Sequence, residues 1–244
     1  MQVRVGCCGL AGLSLSKYAG LFDTIEINST FYKLPMRETA ERWLESTRGK
    51  IVFCMKAFQG ITHPIASPTW KRAGTQKPKS MVENYGHLKP TKENAEAWKR
   101  TLEICKALQA SVCVIQLPPS FTCTSNTVTD AQKFFKMIQR PVDIAIEFRH
   151  RSWIDNVELT KTLIRSADLI HITDPMKEKL LSRKNVCYYR LHGLGKQLYK
   201  YNYTRNDLLK LKDAILDIEC KETYVMFNNL SMRDDALRFR KMVQ

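Results

Sequence analysis

The stretch "IAIEFRHRSW" (residues 144–153) starts as an apolar strand and ends in Glu147, Arg149, His150 and Arg151. The same ending recurs along the chain. "DTIEINSTFY" carries Glu26, Asn28 and Tyr32, and "VFCMKAFQGITH" carries Lys56 and His63. "VIQLPP" carries Gln116, "HITDP" carries Asp174, "CYYRLHG" carries Arg190 and His192, and "YVMFNN" carries Asn228. Environment can drive the pKa values of paired carboxylates apart, which makes Glu26, Glu147 and Asp174 candidate general acids and bases. His63 and His192 are candidate proton carriers near neutral pH. Guanidinium forks match phosphate or carboxylate bidentately and an ammonium adds a point charge. Arg149, Arg190 and Lys56 are therefore a candidate anion clamp, with pairing of each Arg to one of the acids as the competing reading. Asn28, Gln116, Asn228 and Tyr32 complete the candidate substrate-binding set.

Glu26, Glu147, Asp174 and His192 also have the chemistry of a divalent-metal site, in which metal-bound water is the nucleophile. No HxH or HExxH spacing accompanies them. No metal ligand is assigned, and the cofactor stays open.

Such residues need a scaffold that brings them together, and the sequence alternates short β-rich runs with helical patterns. The strands fall at Val3–Gly9, Thr24–Asn28, Ile51–Ala57, Val112–Pro118, Val142–Arg149, Ala167–Thr173, Val186–Gly193 and Glu222–Asn229. Helices are predicted over 14–22, 37–48, 91–110, 127–140, 157–166, 175–184, 204–219 and 231–243. Eight of each in one 244-residue chain predict a single (β/α)8 barrel domain over residues 1–244. "GCCGLAG" lacks the GxGxxG spacing of a dinucleotide-binding turn, which argues against an open doubly wound sheet. Residues 58–90 form one long basic loop, a length that marks functional or disordered segments.

Side chains alternate faces along a strand. Ile144 and Ile146 then oppose Ala145 and Glu147, and Cys187, Tyr189 and Leu191 oppose Tyr188, Arg190 and His192. The charged set belongs to the barrel interior near the strand C-termini, where (β/α)8 enzymes build their sites.

Lys and Arg number 39 against 24 Asp and Glu, a net charge of +15. This suggests a polyanionic partner, nucleic acid or phosphorylated small molecules, with a generally basic surface as the equal alternative. "KRAGTQKPK" (71–79) has no acidic residue, and "GLGKQLYKYNYTR" adds Lys196, Lys200 and Arg205 among tyrosines. Phe31, Tyr32, Trp70 and Trp153 could stack on bases or pack as a lid. No apolar run reaches membrane-spanning length, and the N-terminus lacks signal-peptide character. A cytoplasmic protein without a membrane partner is expected, its oligomeric state open. Most of the eight cysteines sit inside strands (Cys7, Cys8, Cys54, Cys113, Cys187) and read as small hydrophobes. Disulfides would fit a hyperthermophilic source.

"FDTIEINSTFYKLP", "KAFQGITHP", "IQLPPSF", "IEFRHRSW", "YYRLHG" and "YVMFNN", in that order, closely resemble the YecE-like family, also called domain of unknown function 72. The resemblance implies a (β/α)8-like barrel and brings no settled reaction. It marks Glu26, Asn28, Ser29, Thr30, Phe31, Tyr32, Lys56, Thr62, His63, Gln116, Pro118, Pro119, Glu147, Arg149, Trp153, Asp174, Arg190, His192, Gly193, Asn228 and Asn229. "VGCCGLAG" departs from the Gly-Thr-Ser-Gly-Trp-like start of other members, and "SPTWKR" with "GHLKPT" resembles an archaeal branch. The leading expectation is an enzyme acting on a phosphate-bearing substrate, nuclease-like phosphodiester hydrolysis first. The alternatives are an isomerase, lyase or hydrolase of a small sugar or sugar phosphate, and a non-catalytic nucleic-acid-binding protein.

Overall fold

A computed structural model describes residues 1–182, 185–195 and 197–244. Eight parallel strands close in sequence order into one barrel: β1 (Gln2–Cys7), β2 (Thr24–Ile27), β3 (Val52–Lys56), β4 (Val112–Gln116), β5 (Asp143–Glu147), β6 (Ile170–Thr173), β7 (Val186–Leu191) and β8 (Glu222–Phe227). Helices α1 (Leu15–Ala19), α2 (Ser29–Tyr32), α3 (Arg37–Thr47), α4 (Lys92–Ala107), α5 (Ser125–Met137), α6 (Ser152–Asp155), α7 (Val157–Ser166), α8 (Arg205–Leu216) and α9 (Met232–Val243) lie between and after them. Register closes the ring: Gln2 pairs with Glu222 and Cys7 with Phe227, while Gln116 pairs with Glu147. Gly6 lies where β1 meets β2, and a Cβ there would stand 2.0 Å from the Thr24 carbonyl oxygen. Only glycine allows that approach.

The alternation of faces divides the core in two. Cys8, Cys54, Val112, Val114, Ala145, Ile170, Ile172, Tyr188, Tyr224 and Met226 fill the barrel interior. Phe53, Ile144, Ile146, Cys187, Tyr189, Leu191 and Phe227 belong to the larger cluster that packs the helices on the outside. The two interior tyrosines stack, with Tyr188 and Tyr224 ring centroids 5.5 Å apart.

Three departures from the sequence reading have physical causes. The helix expected over 175–184 does not form across 175–182, and 183–184 lie outside the described residues. The backbone N–H of Leu181 donates to His171 Nδ1 (3.3 Å), a tertiary bond that takes the donor a helix would need. Met176, Leu180 and Leu181 still pack onto the outer core. The long segment 58–90 folds back on itself through Gly86 N–H to Gly60 O (2.8 Å) and Leu88 N–H to Ile61 O (3.0 Å). Asn94 of α4 pins it, with Nδ2 donating to the Gly86 and Lys89 carbonyls. Four short 3-10 turns follow one another along it, and it buries Trp70, Ala73 and Leu88. Cys187 is not a free thiol: it is bonded to Cys220, which lies just before β8.

Candidate active site

The upper interior layer, above Ala145 and Tyr188, is charged. Glu26 ends the inner face of β2, Lys56 that of β3, Gln116 that of β4, Glu147 that of β5 and Arg190 that of β7, each as strand parity requires. Arg190 is 1% exposed. Its Nη2 donates to Glu26 Oε1 (2.9 Å) and its Nη1 both to Glu147 Oε2 and to Gln116 Oε1 (3.0 Å). The Tyr188 hydroxyl donates to the other oxygen of Glu26 (2.9 Å). Burial would depress the Arg190 pKa, but Glu147 and Glu26 outweigh it and drive the guanidinium well above its ordinary value. Burial would raise the Glu147 carboxyl. Arg149, Arg190 and the His192 hydrogen bond hold it well below the usual carboxylate range instead. The pairing reading therefore holds for Arg190: it links Glu26 to Glu147.

A second set of groups sits above this link, closer to solvent. Arg149 Nη2 pairs with Glu147 Oε1 at 2.9 Å and reaches Gln116 Oε1 at 3.3 Å, and Nη1 donates to the Tyr199 hydroxyl at 3.3 Å. His192 is held at both ring nitrogens. Asn228 Nδ2 lies 3.1 Å from Nδ1, and Nε2 lies 3.0 Å from Glu147 Oε1. Arg149 Nη2 also lies 3.1 Å from Nε2, so that nitrogen meets a carboxylate and a guanidinium together. Burial lowers the His192 pKa against the raising effect of Glu147. Gly193, at φ +99°, turns the chain after His192 and presses against Tyr201, where a Cβ would stand 2.5 Å from the Tyr201 Cβ.

Lys56 differs from both arginines. Its Nζ donates to Gln116 Oε1 (3.0 Å) and stands 4.0 Å over the Phe31 ring. Thr30 of α2 fixes the strand end by donating its hydroxyl to the Lys56 carbonyl (2.7 Å). Burial and the charge of Arg190 push the ammonium down to about 8, against the opposing pull of Glu26 and Glu147.

Residues 10–244 match the family model "Protein of unknown function DUF72". The chain belongs to the DUF72 family. The UPF0759 protein YunF of Bacillus subtilis is 24% identical over 258 residues, which span 94% of this chain and 85% of YunF. A DUF72 family protein from Enterococcus faecalis V583 superposes with a TM-score of 0.76 at 20% identity, covering 99% of this chain and 97% of its own. One from Thermotoga maritima MSB8 superposes at 0.71 with 23% identity, covering 100% and 99%. The DUF72 match begins just after the divergent "GCCG" stretch that ends at Gly9.

In this DUF72 barrel, hydrogen bonds join Glu26, Lys56, Gln116, Glu147, Arg149, Arg190, His192 and Asn228 into one network. Four other expected residues flank it. Asn28 turns its amide N–H to the Cys8 carbonyl (3.1 Å). His63 packs its ring edge-on to Phe31 at 4.8 Å, with burial and then Lys56 pushing it down to about 3. Tyr32 lies under the Arg72 guanidinium at 3.7 Å. Asp174 stands in the turn after β6, where Oδ1 accepts from the Met176 N–H (3.1 Å) and Lys177 Nζ lies 3.5 Å from Oδ2. Burial raises the Asp174 carboxyl. Trp70 and Trp153 are buried at 1% exposure and pack under the loops rather than offering stacking faces. Sequence reading missed Lys177, which sits in the expected helix, and the Arg149 contact to Tyr199. Lys196 lies outside the described residues. Among the described residues, no three His, Cys, Asp or Glu side chains are grouped to hold a metal ion. None of their helices is long and apolar enough to cross a membrane.

Proposed function

We propose that the barrel mouth binds the phosphate of a phosphate ester between Arg149 and Lys56 and that the enzyme cleaves phosphodiester bonds of nucleic acid there. The carrying observation is the convergence of both cations on the single neutral oxygen of Gln116, beside the neutral imidazole of His192. Three cations, Lys56, Arg149 and Arg190, stand against two carboxylates, Glu26 and Glu147, which leaves one positive charge at the base of the mouth. Developing negative charge on a phosphate oxygen is stabilised by such preorganised donors. His192 is a group able to move a proton near neutral pH, whereas Glu26 and Glu147 are engaged by Arg190. The rim supports a polyanionic substrate: Lys71, Arg72, Lys77 and Lys79 are exposed on the loop after β3, and Lys200 on the loop after β7. A phosphate backbone would be tracked by these charges without base contacts.

One observation favours a small sugar phosphate instead. Lys56 and His192 are each 8% exposed, a depth that a small ester reaches more easily than a polymer backbone. Labelled single- and double-stranded DNA and RNA, incubated with EDTA or with Mg²⁺, Mn²⁺ or Zn²⁺, separate the two readings. The expected result is cleavage by the wild type that Glu147→Gln abolishes. No cleavage of any strand under any condition removes the nucleic-acid reading.

A further inference from the structure

Three cationic side chains share one amide oxygen at the mouth. Gln116 Oε1 accepts from Lys56 Nζ at 3.0 Å, from Arg190 Nη1 at 3.0 Å and from Arg149 Nη2 at 3.3 Å. A carboxamide oxygen offers two lone pairs and no net charge. The arginines do not depend on it, because Arg190 has Glu26 and Glu147 and Arg149 has Glu147. Lys56 has no such partner: among the described residues, no carboxylate lies within 4.0 Å of Nζ. Guanidinium groups keep their proton at any accessible pH, whereas an ammonium can shed one. Lys56 is thus the member of the trio able to relieve the crowding by becoming a neutral amine. Arg190 of β7 and Arg149 after β5 press it that way, Glu26 of β2 and Glu147 of β5 oppose them, and His63 from the following loop faces it as a neutral ring. Beside the shared Gln116 oxygen, the Phe31 ring 4.0 Å below also stabilises the cation. Crowding among cations and burial are the two conditions that turn a lysine into a carbonyl nucleophile.

We infer that Lys56 forms an imine with the aldehyde or ketone of a phosphorylated sugar. The inference rests on the phosphate-ester reading above and gives it a substrate class. The Nζ lone pair attacks the carbonyl carbon, forming the C–N bond while the carbonyl π pair moves to oxygen, and a proton shifts from the new ammonium nitrogen to that oxygen. The carbinolamine hydroxyl takes a second proton from solvent, its C–O bond breaks, and the nitrogen lone pair moves in as water leaves, giving the iminium. The positive nitrogen acidifies the adjacent C–H, and that proton passes to the neutral imidazole of His192. Where a phosphate is bonded at the next carbon, the enamine electrons expel it. The C–O bond breaks and its pair leaves on the phosphate oxygen beside Arg149. Water then releases the sugar and restores the amine. No oxidant, reductant or metal enters the balance. Two sources carry this chemistry: the open-chain sugar of a base-free position in a DNA strand, and a small phosphorylated aldehyde.

Sodium borohydride trapping tests the inference with two probes, a labelled duplex containing one base-free deoxyribose and glyceraldehyde 3-phosphate. A reduced adduct whose mass maps to the peptide containing Lys56 is expected from the wild type, and Lys56→Met should lower its yield about tenfold or more. Peptide mapping of the wild-type adduct keeps the test decisive even if Lys56→Met folds poorly. An adduct with the duplex assigns the nucleic-acid source, and one with glyceraldehyde 3-phosphate alone assigns the small-molecule source. No adduct with either probe, or one spread over surface lysines and unchanged in Lys56→Met, overturns the inference. Cleavage of undamaged strands that survives Lys56→Met also overturns it while leaving the phosphodiester reading standing.

Discussion

Arg190 is a full charge sealed from solvent, and it is tolerable because two carboxylates and an amide oxygen meet its two Nη groups. Removing one side of a buried pair leaves the other charged and unpaired, which costs about 3–5 kcal/mol. Arg190→Met, which strands Glu26 and leaves Glu147 to Arg149, should lower the unfolding free energy read from urea titration by that order; an unchanged value would mean the pairing carries no structural weight. The acid side of the stability curve has its own residue. The unfolded chain takes up a proton on His63 near the ordinary histidine value, about 6.5. In the folded protein, burial first and then Lys56 and His87 push that pKa down to about 3. The unfolded state therefore binds more protons across that window, and stability is lost as pH falls through it. Glu147 acts in the same direction lower down: its contribution is present above the ordinary carboxylate value and is lost as pH falls toward its depressed folded pKa. His63→Gln should flatten the loss measured by urea titration between about pH 6.5 and 4. An acid limb of unchanged slope would show that other groups govern it.

At the scale of elements, the loop after β3 is a folded part of the mouth. Asn94 is fully buried in α4, with Nδ2 donating to two loop carbonyls and Oδ1 accepting the Gly86 N–H (3.1 Å). Truncation leaves buried backbone groups unpaired, at about 1–3 kcal/mol. Asn94→Ala should make the exposed lysines between Lys71 and Lys79 faster targets for trypsin; a cleavage pattern like the wild type's would show that the loop holds itself. The strands were readable because period-two alternation places Glu147 and Arg190 on the same interior surface whatever their exact ends. Height along the strand was readable too, since each polar residue closes an apolar run. What parity could not give is the partner. It put Arg190 and Glu26 on one face without saying that they pair. The segment 175–184 misled because Met176, Leu180 and Leu181 have helical spacing, while the bond from Leu181 to His171 is tertiary and has no local signature. The Cys187–Cys220 link, 33 residues apart, was hidden for the same reason.

The whole molecule carries a net charge of +15, and exposed lysines and Arg72 lie on loops at the strand C-termini. Charge of this kind acts through counterion release, so its signature is salt dependence. If the rim engages about six phosphates, nucleic-acid affinity should fall about 10³-fold between 50 and 200 mM salt. A flat response, measured by fluorescence anisotropy, would make the charge a surface trait unrelated to binding. Inside the mouth, the proposed phosphate site depends on Arg149. Calorimetric titration of a short 5′-phosphorylated oligonucleotide into the wild type and Arg149→Met, at matched salt, tests it most directly. Loss of one charge-assisted contact worth about 1.5–3 kcal/mol predicts affinity weaker by tenfold or more in the variant. Equal affinity in the two proteins would rule out Arg149 as the phosphate anchor and move the phosphate elsewhere.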